Sequence, residues 1–185
     1  MSFQIPLPTD PSASQVYPDW VKAHDPGAEP AALELFGEIC EGAWAASAKP
    51  GAFLDTMAWR ARRLPPAHLP WFWETVAHRL IRVHPRTAAR AHTLARKAER
   101  EHQLPVDPDR HRANMLLHAR SGALGGAELS GHQVWLASVL EPAAAHEEYV
   151  RVLTAWSAAT GELPADLATR LRASARAAGR EVGRG

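Results

Sequence analysis

The sequence predicts an all-α protein of about eight helices, paired antiparallel and stacked as a short solenoid or gathered into an irregular helical bundle. Three observations predict it. From residue 30 onward, apolar residues recur at three- and four-residue spacing, the period of one helix face. Pro stands where each such segment begins, and Gly or a further Pro where it ends. β-branched residues are few and nowhere alternate with polar ones, so no strand is expected. With 185 residues, 46% of them hydrophobic, the chain has the size of one ordinary domain or a short repeat array and can bury a core.

Residues 1–29 carry Pro6, Pro8, Pro11, Pro18 and Pro26, show no period, and read as an extended N-terminal arm pinned by Tyr17 and Trp20. Residues 30–185 are expected to form the helical domain. A first helix over about residues 30–48 turns Leu33, Phe36, Cys40, Ala43 and Trp44 inward. A second over about 52–63 buries Phe53, Met57 and Ala61, and Leu64–Pro65–Pro66 ends it. A third over about 69–83 has a broad stripe of Leu69, Phe72, Trp73, Val76, Leu80 and Ile81, which implies burial on more than one side.

The fourth helix, about 85–102, presents Ala88, Ala91, Leu94, Ala95 and Ala98, small residues that let a neighbour approach closely. Asp107 is the expected N-cap, with Pro108 at the first position, of a fifth helix reaching about Ser121, apolar nearly all round and so expected to be central. Ser130 and Gln133 form a capping-box pattern for a sixth helix to about Glu141, with Val134, Trp135, Val139 and Leu140 inward. Pro142 opens a seventh, with Tyr149, Val150, Leu153 and Trp156 inward and Gly161 as terminator. Pro164 opens an eighth, with Leu167, Leu171, Ala175 and Ala178 along one side.

Short connections make sequential helices antiparallel neighbours. Paired in order, the hairpins begin near residues 30, 65, 104 and 142, a spacing of roughly 35 to 40 residues that falls in the range of helical repeats. Leu-Pro recurs at Leu64–Pro65, Leu104–Pro105 and Leu163–Pro164. With Ala at helix-crossing positions, large apolar residues three or four away and Pro at hairpin starts, the stretch from Pro30 to Gly179 resembles the tetratricopeptide and related helix-turn-helix repeat proteins. The resemblance implies a scaffold that holds partner segments in a groove. The closing "GREVGRG" lacks a polar capping helix, as the leading piece of a longer protein would.

The net charge of +1 is unevenly distributed. Residues 1–58 hold eight acids and two lysines, residues 59–120 thirteen basic residues and five acids, and residues 121–185 six arginines and seven acids. On the fourth helix Arg86, Arg90, Lys97 and Arg100 fall within a sector of about 80°, opposite the alanine side. Arg79 and Arg82 precede it. Such a stripe suits an acidic protein segment or the phosphates of a nucleic acid. Trp71, beside Phe72 and Trp73, is expected either exposed at an interface or laid over an adjacent hairpin.

Catalytic chemistry finds no support in the motifs. There is no G-x-S-x-G, no phosphate loop and no H-E-x-x-H, and Cys40 is expected to be a buried, inert thiol. Glu99 and His102 make one E-x-x-H without a second copy and read as solvated side chains at a helix end. Glu74 and His78 read as a surface pair, and His111 and His118 as hydrogen-bonded core histidines rather than ligands. A single cysteine excludes an internal disulfide, and no apolar run reaches the roughly 18 to 20 residues of a membrane span. The expectation is a cytoplasmic, non-enzymatic interaction module with no cofactor and no metal. Its surface would be Arg79, Arg82, Arg86, Arg90, Lys97, Arg100 and Trp71, presented to a protein partner or to the rest of a longer chain, with nucleic-acid or other anion binding as the alternative.

Overall fold

A computed structural model of the protein describes residues 14–45, 48–162, Thr169 and Arg172. Among them it is all-α: eight helices and two short 3-10 turns, with no strand. The helices are α1 (Val16–His24), α2 (Glu29–Ala45), α3 (Pro50–Ala61), α4 (Leu69–Leu80), α5 (Pro85–Glu101), α6 (Pro108–Arg120), α7 (Gly126–Val139) and α8 (Pro142–Thr160). Pro occupies the first or second position of α3, α4, α5 and α8, where its missing N–H costs no internal hydrogen bond. Asp107 caps α6: its Oδ1 accepts from the N–H groups of Asp109 and Arg110 at 3.0 and 3.1 Å. Gly161 ends α8 in the left-handed conformation at φ 70° that Gly adopts without strain. The helix expected from Pro164 lies outside the described residues, apart from two isolated positions.

The chain divides into two compact units, Met1–Arg110 and His111–Gly185, the division falling inside α6. In the first unit, α4 is the helix buried all round: Phe72, Trp73, Glu74, Thr75, Val76, Ala77, His78 and Leu80 are all buried. That role was expected of α6, which buries Arg110, His111, Asn114, Met115, Leu116, His118 and Ala119 but leaves Ala113 and Leu117 half-buried. The pair α4–α5 is the most extensive helix contact, and Ala88, Ala89, Ala91, Ala95 and Ala98 make it close.

The boundary expected at residue 29 is corrected at its structured end. Val16–His24 is helix, not extended arm, and it packs on both α2 and α4 with Val16, Tyr17, Pro18 and Val21 buried. Pro18 sits in its first turn, which a helix tolerates. Polar bonds fix it to α4: the Tyr17 N–H donates to Thr75 Oγ1 at 2.9 Å, and Ser14 Oγ lies 2.9 Å from His78 Nδ1. Tyr17 Oη also meets His68 Nδ1 at 3.3 Å, while His68 Nε2 meets Asp25 Oδ2 at 3.1 Å.

Two inward faces differ from the expected ones. On α2 the buried line is Ala32, Leu35, Ile39 and Ala43. It runs one residue off the expected stripe, a rotation of about 100°. Leu33 and Trp44 are exposed, and Phe36 and Cys40 half-buried. On α7, Leu129, His132 and Leu136 point inward, while Val134 and Val139 are exposed. Helix α7 begins four residues before the expected Ser130, with the Glu128 carboxylate accepting from the Gly125 N–H at 3.0 Å. In the second unit, α7 packs on α8, whose Ala145, Tyr149, Val152, Leu153 and Trp156 are buried. The Trp156 indole N–H donates to the Leu124 carbonyl at 2.9 Å.

Two glycines of α2 give opposite expectations. Both occupy a helix, where Ala is favoured by about 1 kcal/mol. A Cβ on Gly37 would meet nothing within 4 Å, so Gly37→Ala should raise stability by up to about that amount. A Cβ on Gly42 would fall 2.8 Å from Phe53 Cδ2 and closer still to its Cε2, so Gly42→Ala should destabilise by about 1–3 kcal/mol. Urea unfolding of the two variants reads both signs.

Candidate functional site

The first unit carries two surfaces of opposite charge and one polar cleft. The basic surface lies on α5 and the turn before it. Arg86, Arg90, Lys97 and Arg100 are exposed on the side of α5 opposite the buried alanines, and Arg82 is exposed in the turn. Lys97 Nζ pairs with Glu101 at 3.5 Å. Arg79 is separated from this group: half-buried, its guanidinium lies 4.8 Å over the Phe36 ring of α2. Trp71 is half-buried too. It stacks on Trp20 at 5.7 Å, with the Arg110 guanidinium 4.9 Å from its ring. So it is covered rather than freely exposed, and what it lies against is α1, a helix not expected there.

The acidic surface is the outer face of α2. Leu33, Phe36, Cys40 and Trp44 follow one another at three- and four-residue spacing, with Leu33 49% and Trp44 84% exposed. Gly37 sits among them without a side chain. Exposed Glu34 and Glu41 edge the stripe on the side away from the buried line. Helix α2 contains four glutamates and no basic residue. Glu38 is held by Arg60 of α3 through Nη2–Oε1 and Nε–Oε2 contacts, both 2.8 Å. Cys40 is half-buried rather than buried. Burial pushes its thiol up, the Arg79 charge opposes that and Glu41 adds to it, so it stays the protonated, weakly nucleophilic form.

The cleft gathers Pro70, Trp71 and Glu74 of α4, Arg96 and Glu99 of α5, Pro105 and Asp107 of the connection, and Arg110 of α6, around about 290 Å³ including its open mouth. Glu74, read from the sequence as a surface residue, is 1% exposed. Both its oxygens are taken by Arg110: Nε donates to Oε2 at 3.0 Å and Nη2 to Oε1. His78 Nε2 lies 3.9 Å from Oε1. Burial alone would raise the Glu74 carboxyl, but Arg110, His78 and Arg96 outweigh it and hold the group below the usual carboxylate range.

Glu99 is the second correction, buried rather than solvated, while His102 is exposed. Arg96 Nη1 pairs with Glu99 Oε2 at 2.7 Å. Burial pushes the Glu99 carboxyl up to about 7; Arg96 and Arg100 oppose the shift and Glu74 reinforces it. Arg96 is lowered by burial, with Glu99 and Glu74 acting against that. Its Nε is buried and finds no acceptor within the protein. Sequence reading missed this cluster because the Glu74–Arg110 pair spans 36 positions without a local pattern. Only Glu99, on the flank of the alanine face, was a visible signal.

In the second unit His111, His118 and His132 are buried, the first two as expected. The His132 ring stacks on Trp135 at 5.9 Å and lies 5.4 Å from His111. Among the described residues no group of three or more His, Cys, Asp or Glu side chains is placed to hold a metal ion, and no helix is long and apolar enough to cross a membrane. Compared with protein-family models, curated proteins and solved structures, the chain matches none.

Neither ring nitrogen of His132 finds a hydrogen-bond partner within the protein, and burial lowers its imidazole to about 4 from 6.5. A depressed folded value means the unfolded chain binds the proton first. The contribution is therefore intact above pH 6.5 and is lost as pH falls toward 4. Between pH 7 and pH 5 it amounts to about 2 kcal/mol. Urea unfolding at the two pH values should show that difference between the wild type and His132→Gln, with the variant less sensitive to acid.

Proposed function

We propose that this protein is a non-enzymatic interaction module whose α2 face receives a basic amphipathic helix from a protein partner. One observation carries the reading: the stripe Leu33–Phe36–Cys40–Trp44 stays at the surface of a helix whose other apolar line is already buried. A Trp exposed by 84% leaves most of its apolar surface in water. Exposed apolar surface rimmed by charge is the usual form of a docking site, and Trp is favoured at the centre of one. The rim selects the partner's charge. Glu34 and Glu41 border the stripe and no cation of α2 offsets them, so a partner helix with Lys or Arg beside its apolar line fits. A scaffold role of the tetratricopeptide kind agrees with this reading.

The basic surface supports a second reading. Arg86, Arg90, Lys97 and Arg100 share one exposed side of α5, with Arg82 exposed in the turn before it, and the group would suit nucleic-acid phosphates or another polyanion. Binding of a DNA duplex at low salt that falls steeply with added salt, and is lost when Arg86, Arg90 and Lys97 are reversed to Glu, would favour it over the first. Absence of binding at low salt removes it.

The first reading is tested with a designed amphipathic peptide of Leu and Lys, alongside its Leu and Glu analogue, followed through the Trp44 indole N–H signal by NMR. The Lys peptide should bind saturably and shift Trp44, and the Glu peptide should not. Trp44→Ala should weaken binding at least about tenfold while changing stability by no more than about 0.5 kcal/mol. A Lys peptide that leaves Trp44 unmoved, or binds equally to Trp44→Ala, overturns the proposal; self-association through the same face, seen as Trp44-dependent dimers in light scattering, would replace the partner by a second copy.

A further inference from the structure

The cleft between α4, α5 and the start of α6 holds one carboxylate fully engaged by a guanidinium and one buried guanidinium nitrogen with no acceptor in the protein. Glu74 is saturated by the Arg110 fork, and Asp107 Oδ1 is occupied by the two N–H groups it caps. Arg96 lines the same cleft. One of its terminal nitrogens is matched by Glu99, and its Nε is buried with no acceptor in the protein. A buried guanidinium donor without an acceptor costs free energy that an incoming oxygen atom would recover. The remaining walls are the Trp71 ring, Pro70 and Pro105, which are apolar. A few polar groups beside apolar walls describe a small-molecule site, and the cleft opens to solvent, so a short chain can enter from outside.

We propose that this cleft binds a small organic carboxylate, its carboxylate on Arg96 and its short apolar chain against Trp71, Pro70 and Pro105, with Glu99 taking up one proton as the ligand arrives. The proton is required by charge. With Glu99 ionised, the pair Arg96–Glu99 is neutral and an arriving carboxylate meets a second carboxylate. With Glu99 protonated, Arg96 keeps its charge for the ligand, and the Glu99 hydroxyl becomes a donor to the bound carboxylate. No bond to carbon changes; one proton moves from solvent to Glu99. The charged groups around Glu99 are Arg96 and Arg100 on its own helix, Glu74 with His78 behind it on α4, and Asp107 and Arg110 at the start of α6. Of these Glu74 is locked by Arg110, so Glu99 is the carboxyl placed to titrate near neutrality, at about 7. Affinity should therefore be level below about pH 6 and fall about tenfold from pH 6 to pH 8.

The test titrates sodium butyrate into the full chain, with sodium acetate, inorganic phosphate and butylamine as separate arms, and follows the Trp71 indole and Arg96 side-chain N–H signals by NMR. Butyrate should bind saturably, more tightly than acetate because its chain reaches the apolar walls, and about ten times more tightly at pH 6 than at pH 8. Glu99→Gln keeps an uncharged donor at that position, so it should bind butyrate at pH 8 about as tightly as the wild type does at pH 6. A gain of binding cannot come from a damaged fold. Arg96→Gln should abolish binding, and Arg96→Lys should weaken it while preserving the fold. The proposal is overturned if butyrate shifts neither signal, if phosphate or butylamine binds and butyrate does not, if acetate binds as well as butyrate, or if affinity in Glu99→Gln still falls between pH 6 and pH 8.

Discussion

A helix buried on every side has to satisfy each polar group it carries from its neighbours, and α4 carries several. Glu74, Thr75 and His78 are buried within it, and His68 is buried just before it. Glu74 meets the Arg110 guanidinium, Thr75 accepts from the Tyr17 N–H, His78 faces Ser14, and His68 bridges Tyr17 and Asp25. These partners come from both sides of α4 in sequence, so its polar content dictates where α1 lies and where α6 begins. The Glu74–Arg110 pair is the strongest of these constraints. Removing either partner would strand a buried charge, a cost of about 3–5 kcal/mol.

The same constraint creates the cleft. Arg110 is drawn in to neutralise Glu74, and the Pro105–Asp107 connection follows it over the end of α5, next to Arg96 and Glu99. Two buried carboxylates close enough to act on each other cannot both hold their charge at ordinary cost. Arg110 secures the charge on Glu74, and the strain falls on Glu99. The separation of the two carboxyls, one held low and one pushed to about 7, follows from which guanidinium each has and how well it is matched.

The faces of unit 1 left to solvent differ in kind. On α5 the small alanines are buried chiefly against α4, and the opposite side carries exposed Arg and Lys. Helix α2 has apolar residues on two adjacent lines, and its neighbours cover one of them. Ala32, Leu35, Ile39 and Ala43 form the flatter line, on which α1 and α4 come close. The bulkier line of Phe36 and Trp44 is left to the surface, edged by glutamates and by Arg79 over Phe36.

Periodicity, Pro placement and, for α7, a capping-box pattern were enough to predict the helical class and the helices α2 to α8, because a repeat of 3.6 residues, a Pro in the first turn and a cap are local properties of the chain. They placed the exposed cations of α5 for the same reason: a strong apolar side leaves only one orientation. They did not reveal α1, which is only nine residues long, holds Pro18 and follows a Pro-rich stretch, and whose Tyr17 and neighbouring Ser14 are bonded to α4. Nor did they choose between the two lines of α2, which are equally periodic, or bring Glu74, Arg96, Glu99 and Arg110 together. Those outcomes depend on which surfaces meet across tens of residues, and burial, charge pairing and the raised Glu99 carboxyl arise only after that meeting.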